Sequence, residues 1–258
     1  MIFGDLSMDQ WAVFLLVLLR SSAVLATMPF FSSPNLPPLL KAGLALSLAV
    51  ILAPVVKIDP ASLPKAPVAV ALLCAGEIMI GAILGLVVRM MMTAVQIMGQ
   101  LMGFQMGFAV ANVLDPVTGV QISVLAQFSF LMTMLVLFVV DGHHWFFKAL
   151  ADSFVLVPPG GFGLSRSLFK QVMLYSGEMF SLAIRLGAPV IGALLFTQVV
   201  MGLLAKTVPQ MNILIVGFPI TITVGLIFLS LALGIIIPVM GQKFSSLGPV
   251  FVGLMKAM

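Results

Sequence analysis

Charge is scarce in this chain. Twelve Lys and Arg with eight Asp and Glu make up 8% of 258 residues, while 62% are hydrophobic. A soluble domain carries about 25% charged residues, so a water-soluble enzyme domain would lack polar surface, and disorder is excluded by the same excess of apolar side chains. The composition is that of an integral membrane protein. Cysteine is nearly absent: Cys74 stands alone in an apolar run, which excludes a disulfide framework and a thiolate zinc site. Net charge is +4, but the bases are scattered and form no nucleic-acid-binding patch. No Lys or Arg precedes Arg20, whereas a secretory leader opens on basic residues, so the first helix is expected to be retained. P-loop, dinucleotide and nucleophile-elbow patterns are missing, and no serine stands with a base at triad-like spacing, so neither an enzyme nor a cofactor is expected.

What the chain has instead is 20 Phe and 19 Met, soft apolar side chains that adapt to irregular contacts. Hydrophobic segments run at roughly 11–28, 39–56, 66–88, 117–140, 179–205 and 213–240. They fit simple spans of about 20 residues poorly. Arg20, Glu77 and Arg185 lie inside three of them, and Thr207–Gln242 is uncharged for too long to be one span. Gly217-Phe218-Pro219 and Pro238 predict a broken or bent helix there, and Asp115-Pro116 predicts a turn. Irregular backbone at membrane depth must be buried in protein or line a cavity; plain packing kinks are the alternative. The stretch 141–178 is the most polar and reads as a connection. If all six segments span, one side receives Lys57, Lys65, Lys148, Arg166, Lys170, Lys243 and Lys256 and the other Lys41, Arg89 and Lys206, which places both termini in the cytoplasm.

Gly99, Gly103 and Gly107 recur four apart beside Met98, Met102 and Met106, with Gln96, Gln100 and Gln105 among them. Such a face admits a closely packed helix. It also suits a deformable apolar constriction on a conduit, sealed by Met and Phe without specific hydrogen bonds. Charges at Arg20, Glu77, Arg89, Glu178 and Arg185 are costly in a membrane unless paired or hydrated. Glu77 with an arginine is expected as an interhelical pair; a proton relay would draw on the same residues. His143-His144 raises a metal reading, but adjacent helical side chains point about 100° apart, and no third-ligand cluster is visible, so no metal site is expected. Asp141–Phe147 is read as a helix end at the interface, anchored by Trp145, Phe146 and Phe147. A small-molecule or ion transporter using Glu77, and an intramembrane metalloenzyme around Asp141, His143 and His144, remain rival classes.

Several stretches carry a resemblance. They are Leu19-Arg20, Met28-Pro29-Phe30, Pro37-Pro38, Gly76-Glu77-Ile78-Met79-Ile80-Gly81, Gly103-Phe104-Gln105-Met106-Gly107-Phe108 running to Asp115-Pro116, Asp141-Gly142-His143-His144, Ser153-Phe154 with Pro158, and Val208-Pro209-Gln210-Met211-Asn212 leading into Val216-Gly217-Phe218-Pro219. In that order they resemble the FliR family of type III secretion, flagellar and injectisome members alike, over nearly the whole chain. The resemblance implies an all-α membrane protein of broken helices and helical hairpins, a non-enzymatic subunit of the flagellar protein export gate in the bacterial inner membrane at the flagellar basal body. It implies a FliP-like part at 1–178 and a FliQ-like hairpin at 179–258, in one hetero-oligomer with FliP and FliQ, joined by FlhB, embedded in the lipid bilayer and contacting unfolded export substrates transiently. A plug is implied at about 103–115, with Gly103, Phe104, Met106, Gly107, Phe108, Val110, Asn112, Val113 and Leu114 as its residues. The hairpin tip, with Lys206, Pro209, Gln210 and Asn212, would face the cytoplasmic entrance, against the charge count for Lys206. Arg20, Glu77, Arg89 and Arg185 are expected to be structural.

Overall fold

The computed structural model describes residues 8–33, 36–56, 64, 66–108, 123–208, 210 and 212–258. Among them the chain is all α-helix, without a strand: α1 Met8–Thr27, α2 Pro38–Leu52, α3 Pro67–Gln105, α4 Val124–Val139, α5 Gly142–Leu156, α6 Arg166–Thr207, α7 Ile213–Ser245 and α8 Leu247–Ala257. Four of these helices, α1, α3, α6 and α7, are long and apolar enough to cross a membrane. The protein is therefore an all-α membrane protein.

Two compact units are formed. One comprises 1–90, 141–175 and 245–258, the other 91–140 and 176–244. The boundary expected at 178/179 falls inside α6.

In the first unit α2 opens with Pro38 at its first position, where a missing N–H costs nothing, and Pro54 follows its end. Within the connection read at 141–178, α5 is a helix of 15 residues. Its apolar face, Phe146, Ala149, Leu150 and Phe154, is buried, while Lys148 faces out; the period was there, but the charges on the outer face masked it. Asp141-Gly142 starts this helix rather than ending one, and of the expected anchors Phe146 is buried. The short α8 was not anticipated. It seals the unit through Leu247, Phe251, Leu254 and Met255, all buried, with the Phe251 and Phe146 rings 5.7 Å apart. Gly248 lies under the Trp145 ring, where a Cβ would not fit. Ser165 Oγ donates to Ala257 O, and Gly163 N to Met258 O at 3.1 Å.

In the second unit α6 and α7 run antiparallel, tied by Lys243 Nζ to Glu178 Oε2 at 3.3 Å. Of the broken or bent helix expected at Gly217-Phe218-Pro219 and Pro238, the broken form is not what is found: α7 continues through both prolines for 33 residues. Proline's fixed φ is close to helical, and hydroxyls occupy neighbouring carbonyls in apolar helices. Here Thr221 Oγ1 donates to Phe218 O at 3.1 Å and Thr223 Oγ1 to Pro219 O at 2.7 Å. The chain does depart from helix after Gln105, where Gly107 takes φ +93. Asn212 caps the start of α7, its Oδ1 accepting from Ile215 N at 3.4 Å.

Candidate functional site

In the first unit the largest buried side chain is that of Arg20, with 0% exposure. Its Nε and Nη2 donate to Glu77 Oε2 and Oε1 at 2.6 and 3.0 Å, a two-pronged pair. Nη1 donates to Ser153 O at 2.8 Å, Ser153 Oγ at 3.2 Å and Val157 O at 2.9 Å. Ser153 lies in the last turn of α5 and Val157 directly follows it; Val157 N donates to Ser153 O at 2.9 Å, while the Val157 carbonyl, past the end of the helix, takes its bond from Arg20. One guanidinium thus neutralises Glu77 and caps α5, while the Phe154 ring covers its face at 4.3 Å.

The close approach that makes this possible is written in α3. Glu77, Gly81 and Gly85 stand four apart on one face. A Cβ on Gly81 would meet Ala23 Cβ at 2.6 Å and Arg20 O at 2.9 Å, and one on Gly85 would collide with Thr27. The two glycines let α1 lie on α3 so closely that Arg20 reaches Glu77. Arg89 and Arg185, expected to be structural intramembrane charges, are exposed in their units. The partners that sequence reasoning missed are the carbonyls of Ser153 and Val157; no residue type announces a carbonyl.

In the second unit the glycine–methionine face packs. Met98, Met102 and Met106 are buried. A Cβ on Gly99 would meet Ala126 Cα at 2.6 Å, and one on Gly103 would strike Ser123 Oγ, so the N-terminal end of α4 crosses α3 at its glycines. Gly107, at positive φ, faces the Phe218 ring, 2.5 Å from where a Cβ would sit. Met106 fills the notch left by Gly225 on α7, and its carbonyl accepts from Thr221 Oγ1 at 3.1 Å. Phe104 is 62% exposed. Phe108 is half-buried, and Val110, Asn112, Val113 and Leu114 lie outside the described residues, as does Asp115. An open cavity of about 360 Å³ lies beside the end of α3, lined by Phe104, Gln105, Gln198, Met201, Phe218 and Thr221. Gln198 Nε2 donates across it to Gln105 O at 3.2 Å. Thr221, a hydroxyl in an apolar helix, was the readable signal for the bond to the Met106 carbonyl. At the hairpin connection Lys206, Gln210 and Asn212 are exposed, and Pro209 lies outside the described residues.

Asp141, His143 and His144 come closer than helical spacing implied: their donor atoms lie within 4.8 Å of one another. Asp141 sits outside the helix with φ 53, so the 100° rule does not govern it.

The fold and the site define the class as an all-α membrane protein held by a buried ion pair and by small-residue helix faces. The chain belongs to the bacterial export proteins, family 1, whose model matches residues 11–247. It is 35% identical to the flagellar biosynthetic protein FliR of Bacillus subtilis (strain 168), over 92% of each chain. The FliR of Pectobacterium carotovorum is 32% identical over 94% of this chain and 93% of its own. That of Escherichia coli (strain K12) is 30% identical over 93% and 92%. These relatives are named for flagellar biosynthesis and for no enzymatic activity.

Proposed function

We propose that the chain is a non-enzymatic structural subunit of the flagellar type III export gate in the bacterial inner membrane, at the flagellar basal body. It helps form and seal the conduit for unfolded export substrates. The similarity to FliR proteins along 92% of the chain carries this reading. FliP- and FliQ-type subunits and FlhB are its partners in one hetero-oligomer, with 1–178 as the FliP-like part and 179–258 as the FliQ-like hairpin, whose tip around Lys206, Pro209, Gln210 and Asn212 faces the entrance. The seal is the segment from Gly103 to Leu114. Its first half is anchored by Met106 and Gly107 against α7, and nothing from Gly103 to Leu114 is charged, so the segment can close a constriction that excludes water. The intramembrane charges serve structure: both carboxylate oxygens of Glu77 are engaged by Arg20, which suits a lock better than a transport site.

Deleting about 108–113 tests the seal. The complex is expected to assemble and to leak small ions, measured as membrane conductance alongside recovery of the intact complex. An intact complex that stays tight would sink the assignment, and lost assembly without a leak would point to packing alone.

A further inference from the structure

Both histidines of the chain gather with one carboxylate at the start of α5. Asparagine or aspartate before a helix ordinarily turns its side chain onto the first free N–H groups. Asp141 makes no such bond, although it holds the capping position. Its backbone is left-handed, and its Oδ1 lies 3.7 Å from His144 Nδ1. The two imidazoles lie against each other with ring centres 4.2 Å apart. Asp141 and His144 are largely exposed, so their donor atoms meet water and solutes. The next basic residue along α5, Lys148, has its ammonium 5.4 Å from the Trp145 ring centre.

We propose that this turn binds one divalent late first-row transition ion, of the Zn²⁺ or Cu²⁺ kind, through His143, His144 and Asp141. Two imidazoles and a carboxylate suit these ions, whereas Mg²⁺ and Ca²⁺ prefer oxygen alone. With metal–ligand bonds of about 2.0–2.2 Å, donors around one ion sit about 3.3 Å apart. The present spread of 4.8 Å closes by rotating the exposed Asp141 and His144 side chains toward the half-buried His143. A helix N-terminus repels a cation by itself, so the carboxylate is essential to the set. Three protein ligands leave a position for water, and ligands from Asp141 and the first turn of α5 would clamp the left-handed turn between them. Binding does not rest on the export role.

The test uses the full chain co-isolated with its membrane partners in mild detergent. ZnCl₂ is titrated calorimetrically into wild type and into an Asp141→Asn/His144→Ala double variant, with MgCl₂ as control. The wild-type complex is expected to bind one more Zn²⁺ per copy of this chain than the double variant, and Mg²⁺ is expected not to distinguish them. His144→Ala alone, at an exposed position, is expected to weaken that site at least about tenfold; it serves as the comparison should the double variant fail to assemble. Equal stoichiometry and affinity in wild type and variant overturn the site.

Discussion

Arg20 shows how a single residue can hold three helices. A buried guanidinium is costly to desolvate, and the structure offsets this by engaging it with five hydrogen-bond contacts and an aromatic face. Replacing it by Leu strands the Glu77 carboxylate and the Val157 carbonyl and leaves Ser153 O with its backbone bond alone. Arg20→Leu is expected to lose about 3–5 kcal/mol, read as lowered thermal unfolding of the detergent-solubilised complex. Arg20→Lys should recover little, because an ammonium cannot reproduce the fork, whereas Glu77→Gln should cost much less than Glu77→Ala. A Leu pair at both positions should be more stable than Arg20→Leu alone, and a double variant no better than the single would refute the stranded-charge account. That Glu77 needs an arginine is legible in the sequence, since it is an acid in an apolar run. Which arginine was not: Arg20, Arg89 and Arg185 all lie in hydrophobic surroundings. The unread sign was Gly81 and Gly85, which extend the Glu77 stripe and mark where α1 approaches α3 closely.

Among the elements, glycine has two opposite uses here. At Gly99 a side chain would collide with the α4 backbone, while at Gly192 and Gly234 nothing lies within 4 Å. Gly→Ala in an open helix position gains about 1 kcal/mol from backbone entropy and helix propensity. Gly192→Ala is therefore expected to leave stability unchanged or raised, and Gly99→Ala to lower it by about 1–3 kcal/mol through overpacking. Thermal shifts of the two variants having the same sign would refute the packing at Gly99. The stripe at Gly99 and Gly103 was visible from its spacing, and the structure sets α4 against it. The proline signals allowed either a break or a bend, and the helix is unbroken because such signals are local. Pro219 and Pro238 lie in a helix whose other residues are overwhelmingly apolar and helix-compatible, and two threonines near Pro219 occupy adjacent carbonyls. The helices α5 and α8 escaped for the reverse reason. Each is short, and each is amphipathic because it packs on the other, a partnership between residues more than 90 positions apart, such as Phe146 and Phe251.

On the scale of the whole molecule, helix length decides what surrounds the protein. At about 1.5 Å per residue, α6 with 42 residues extends about 63 Å and α3 with 39 residues about 58 Å. The hydrocarbon core of a bilayer is about 30 Å thick. Tilting cannot bring such lengths wholly into lipid, yet α6 exposes large apolar side chains along its course: Phe169, Phe180, Ile184, Phe196, Val199 and Leu203. Apolar surface that lipid cannot reach must be covered by protein or lie against water, and contiguous patches of this kind mark interaction surfaces. Under the proposed assembly, partners with apolar helices of their own supply that cover and complete the folded state. Expressed alone, the chain is expected to aggregate or be degraded, and co-expression with FliP- and FliQ-type subunits should restore a soluble detergent complex, measured by size-exclusion chromatography and by yield. A monodisperse, long-lived monomer in mild detergent would show that α6 is covered without partners, and the need for an assembly would then lose its physical basis.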